Sequence, residues 1–110
     1  MITPKINDVS PWGIIETCTY IADGITAVST LSHGGLHLSL WRLQAVPMEW
    51  RMARQAPRNT LECPWFEEDC EGCMVVLSFL HFFKDEQREY AAIMQENWLR
   101  PALLGAEMVS

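Results

Sequence analysis

Positive charge is scarce in this sequence. Only 8 of the 110 residues are Lys or Arg, against 14 Asp or Glu, for a formal charge of −6. Binding along a nucleic-acid backbone needs concentrated Lys and Arg, so that class of partner is disfavoured. No apolar run approaches the ~20 residues needed to cross a bilayer, Met74 to Leu77 being typical. Met1 to Asp8 contain no apolar stretch of the kind a secretory signal needs, so a cytoplasmic chain is expected. The phosphate-loop, dinucleotide-loop and zincin motifs are also missing, which removes the usual signatures of cofactor chemistry. Neither a cofactor nor a bound metal is expected.

What is present suits one globular domain over residues 1–110, apolar at 49 % and charged at 20 %. Five Trp, four Phe and two Tyr supply bulky core filling. The acidic excess is concentrated. No Lys or Arg occurs between Asn59 and Phe83, whereas Glu62, Glu67, Glu68, Asp69 and Glu71 all fall there. A field that local steers basic partners, although a solvated helix start would look the same.

Residues 1–11 read as an irregular arm, with Pro4 and Pro11 opposing regular pairing. Gly13 to Tyr20 is β-branched and aromatic, as a strand requires. Asp23-Gly24 is a hairpin turn, Ile25 to Leu31 its partner strand, and Leu36 to Leu38 a third strand after Ser32-His33-Gly34-Gly35. Pro47 opens a short helix near Trp50. The clearest helix is predicted over Phe66 to His81, where Cys70, Cys73, Met74, Leu77, Leu80 and His81 form one stripe. A last helix starts at Asp85, presents Tyr90, Ile93, Met94, Asn97 and Trp98 on one face, and stops before Pro101. Residues 102–110 read as a flexible tail. The fold class is therefore α+β: a three-stranded antiparallel meander followed by two main helices and a short one, packed on one face.

Three kinds of chemistry compete for the reactive residues. Cys63, Cys70 and Cys73 with His33 or His81 have the donor types of a zinc site, but there is one C-x-x-C rather than two. Its position on an apolar helix stripe suits buried core thiols equally well. His33 with Glu67, Asp69 and Cys70 would make a hydrolase or metal-dependent centre if the fold brought them together. Arg51 and Arg54, beside Trp50, would make a basic helix face able to contact DNA, or would only cover tryptophan with their stems.

Two motifs carry a resemblance. Ser32-His33-Gly34-Gly35 and Trp65-Phe66-Glu67-Glu68-Asp69, together with Trp12-Gly13, resemble a small domain of unknown function found in proteins of bacteriophages, plasmids and related proteobacterial elements. The similarity extends over roughly residues 11–100; the Trp- and Arg-rich segment 41–54 departs from it. No reaction comes with that family. The resemblance implies a mobile-element protein acting inside a bacterium, of the kind that includes inhibitors of host defence such as anti-CRISPR proteins. The expected partner is a CRISPR effector or another nucleic-acid-binding defence protein. The expected docking surface is Glu67, Glu68, Asp69 and Glu71, with Trp65 and Phe66 as apolar anchors.

Overall fold

The computed structural model describes residues 3–109, with side chains described as far as residue 105. A two-stranded ribbon comes first, β1 (Val9–Ser10) with β2 (Gly13–Ile14). The main sheet follows: β3 (Thr17–Ala22), β4 (Ile25–Ser29), β5 (Gly34–Leu38) and β6 (Trp65–Glu67), antiparallel throughout and in the order β3-β4-β5-β6. Between β5 and β6 lie two short helices, α1 (Leu40–Leu43) and α2 (Met48–Met52). After β6 come α3 (Gly72–Ser78), a 3-10 turn (Leu80–Phe82) and α4 (Asp85–Met94). A π-helical turn (Gln95–Leu99) then leads into α5 (Arg100–Val109).

The α+β class and the meander are as expected, with three differences. The sheet has four strands, because Trp65–Glu67 pairs with β5 through Leu36 opposite Phe66 and His37 opposite Trp65. The helix expected from Phe66 thus starts only at Gly72. The first strand is split, its opening residues pairing back on Val9–Ser10 within the arm. Pro101 does not end the last helix. The π turn before it absorbs the irregularity, and Pro101 occupies the first turn of α5, where its missing N–H costs little. Residues 102–109, expected as a tail, continue that helix.

Side-chain alternation sorts the sheet into two faces. Ile25, Leu38 and Phe66 point at the helices and are fully enclosed with Met74, Val75 and Leu99. Neighbouring positions Val28, Gly35, His37 and Trp65 point the other way. There Trp12 and Trp65 meet edge to face at 5.7 Å, and Trp65 meets His37 at 4.7 Å. The Asp-Gly turn is confirmed, with Gly24 at φ +81°, a conformation that glycine adopts without strain. Among the described residues no helix is long and apolar enough to cross a membrane.

Candidate functional site

The three segments that carry the family resemblance meet at one end of the main sheet. Gly34 and Gly35 open β5, with β6 alongside. The Trp12 ring lies directly on Gly35, in the space a Cβ would occupy. A Cβ on Gly34 would sit 2.6 Å from a carboxylate oxygen of Glu68. The two glycines are thus explained by close approach: one admits an indole, the other a carboxylate. The backbone N–H of Glu68 donates to the carbonyl of Gly34 and carries the ladder into the acidic turn.

The expected acidic surface is not one surface. Glu71 is 1 % exposed, and Arg58 grips it with two parallel bonds, Nε to Oε1 at 2.7 Å and Nη2 to Oε2 at 3.0 Å. The backbone N–H groups of Gln55 and Glu67 also donate to it. Four donors account for this carboxylate, so it holds the 55–58 loop to β6 and cannot reach a partner. Phe66 is fully buried beneath the Arg54 guanidinium, 4.4 Å from ring to Cζ, which removes it as an anchor. Trp65 is half-buried between Trp12 and His37.

Glu67 is half-buried and accepts the backbone N–H groups of Asp69 (2.6 Å) and Cys70 (3.2 Å). Burial raises its pKa, and those two donors pull the other way. Glu68 and Asp69 are exposed, and among the described residues neither carboxylate has a hydrogen-bond or ion-pair partner. The free charge of the turn is concentrated on these two side chains.

A cleft of about 380 Å³ on the face away from the helices is lined by Trp12, His33, Arg58, Glu67, Asp69 and Cys70, among others. The fold thus gathers the proposed hydrolytic residues around one depression. The thiol of Cys70 is a poor nucleophile there, since burial and then the charges of Glu67, Asp69 and Glu71 raise its pKa. Cys73 is buried, and burial pushes its thiol up to about 12. Among the described residues no three His, Cys, Asp or Glu side chains are placed to hold a metal ion, so the zinc set does not assemble.

The basic face does not form either. Arg54 is 3 % exposed and donates to the carbonyls of Arg51, Thr60, Cys63 and Trp65, tying the 55–64 loop to the body. Arg51 donates to the carbonyl of Leu61, and Trp50 is half-buried against the core. Two residues escaped sequence reasoning. Arg58 follows Pro57 in a loop, and its pairing with Glu71 spans thirteen positions, so no local pattern marks it. His37, 5 % exposed and held near a pKa of about 4 by burial, gave no signal at all, since its packing against Trp65 joins residues far apart in the chain.

No curated protein and no solved structure matches the chain. A family model described as a domain of unknown function (DUF7007) matches residues 5–103, which include every residue discussed above from Trp12 to Asp69, and the chain belongs to that family.

Proposed function

We propose that this chain is an interaction protein of phage or mobile-element origin that inhibits a host defence complex in the bacterial cytoplasm. An anti-CRISPR role, by occupying a basic nucleic-acid-binding or nuclease-recruitment surface, fits best. One observation carries the reading. Trp12, Gly34-Gly35 and the Trp65–Asp69 segment converge into one platform, on which the carboxylates of Glu68 and Asp69 are exposed and have no hydrogen-bond or ion-pair partner among the described residues. Such a platform competes for Lys and Arg that would otherwise hold phosphate. Exposed charge of this kind mainly sets association rate and specificity. Glu71 and Phe66 now serve as its foundation rather than as contacts.

The decisive experiment expresses the chain in a host with an active CRISPR system and measures plating of a targeted phage. Wild type is expected to restore plating, and the double variant Glu68→Lys, Asp69→Lys to abolish that restoration while folding normally. Full restoration by the double variant would refute the docking role.

The gathering of His33, Glu67, Asp69 and Cys70 around one cleft favours a second reading, a small hydrolase. Loss of restoration in His33→Ala or Cys70→Ser, with Glu68→Lys alone still active, would decide for it. A DNA-contacting regulator has no such support, because Arg54 is spent on four carbonyls.

A further inference from the structure

On the helix side of the sheet, beneath the acidic turn, a second cleft of about 330 Å³ separates β4 and β5 from α3 and α4. Its walls include Leu36, Val76 and Ala91, and Cys73 contributes a thiol that stays protonated. Glu68 stands on its lining. The space left by the missing Cβ of Gly34 lets that carboxylate lie against β5 at the mouth of the cleft, while the residue stays exposed. It has no hydrogen-bond or ion-pair partner among the described residues, and no Lys, Arg or His contributes to the lining.

We infer that this cleft receives a lysine or arginine side chain of a partner protein, its aliphatic stem against Leu36, Val76 and Ala91 and its cationic head on Glu68. The inference rests on the interaction reading and supplies its anchor. Charge complementarity selects the occupant. A carboxylate or phosphate group would meet Glu68 as a like charge, and a purely apolar group would strip water from it without compensation. A basic side chain satisfies both halves, because its stem is apolar and its head is charged. The same turn thereby acts twice: Asp69, which lines the cleft on the opposite face, adds longer-range attraction, and Glu68 meets the cation at the pocket.

The test uses n-butylguanidinium chloride as a mimic of the side chain, titrated into the isotopically labelled full chain while amide shifts are followed. Saturable shifts are expected at Ala27, Leu36, Val76 and Ala91. Neither n-butanol nor unsubstituted guanidinium, at matched ionic strength, should reproduce them. Glu68→Gln should weaken binding by about fivefold, the scale of one partly exposed charge pair. Ala27→Leu, at a half-buried position on the lining, should block binding without unfolding the chain. Binding that is absent, that n-butanol matches, or that Glu68→Gln leaves unchanged overturns the inference. So does a concentration-dependent dimer that n-butylguanidinium dissociates, because the occupant would then be a second copy. A negative titration alongside a plating defect in the Glu68→Lys, Asp69→Lys variant rejects the pocket and leaves the interaction reading intact. A positive titration with normal plating by that variant rejects a partner as the occupant.

Discussion

A carboxylate inside a protein costs several kcal/mol unless its charge is matched and its lone pairs are filled, and Glu71 meets both conditions. Removing Arg58 alone leaves the charge uncompensated. Arg58→Ala is therefore expected to lower unfolding free energy by about 3–5 kcal/mol. The joint replacement Arg58→Met, Glu71→Gln should cost less, because no orphaned charge remains and the amide oxygen still accepts a backbone N–H; urea denaturation of both variants measures the difference. His37 makes a pH prediction. Its folded pKa of about 4 lies below the unfolded value of 6.5. Above pH ~6.5 both states are neutral there, and the stabilisation is complete. As pH falls toward 4 the unfolded chain takes up the proton first, and up to about 3 kcal/mol is lost. His37→Gln should flatten that segment of the stability–pH curve. Neither residue stands out in the sequence. Glu71 is spelled like Glu67 and Glu68, and only Arg58, thirteen positions away, separates its role from theirs.

Elements were more legible where the signal is local. The Asp-Gly hairpin, the Leu36–Leu38 strand and the helix from Asp85 follow from turn chemistry and period alone. The region after Pro64 was not legible in the same way. A proline, an acidic run and apolar spacing that suits a helix from Cys70 onward extend just as plausibly back to Phe66. What makes Trp65–Glu67 a strand is the open edge of β5, a tertiary fact no local pattern records. The glycine pair was readable as a turn but not as a receptacle for Trp12. Gly35→Ala should displace that indole, costing about 1–3 kcal/mol and altering near-ultraviolet circular dichroism. Combined with Trp12→Ala, the joint loss should be smaller than the sum of the two single losses, since the clash with the ring disappears while that with the Phe66 carbonyl, 2.5 Å from the added Cβ, remains.

At the scale of the whole molecule, the −6 charge looked like one crowded edge, and folding divides it. Glu71 is paired with Arg58 inside, Glu67 stays with its own turn, and Glu68 and Asp69 are left exposed without a partner among the described residues. Two exposed carboxylates on a firm base are enough to steer a basic surface, and such steering fades with ionic strength. The most direct test immobilises the chain in lysate from a host carrying a defined CRISPR system and identifies what is retained at low and at high salt. Salt-sensitive retention of the nucleic-acid-binding effector by wild type, and none by an equally stable Glu68→Lys, Asp69→Lys variant, is the expected result. Equal retention by both, or no retention of the effector by wild type at low salt, would contradict it.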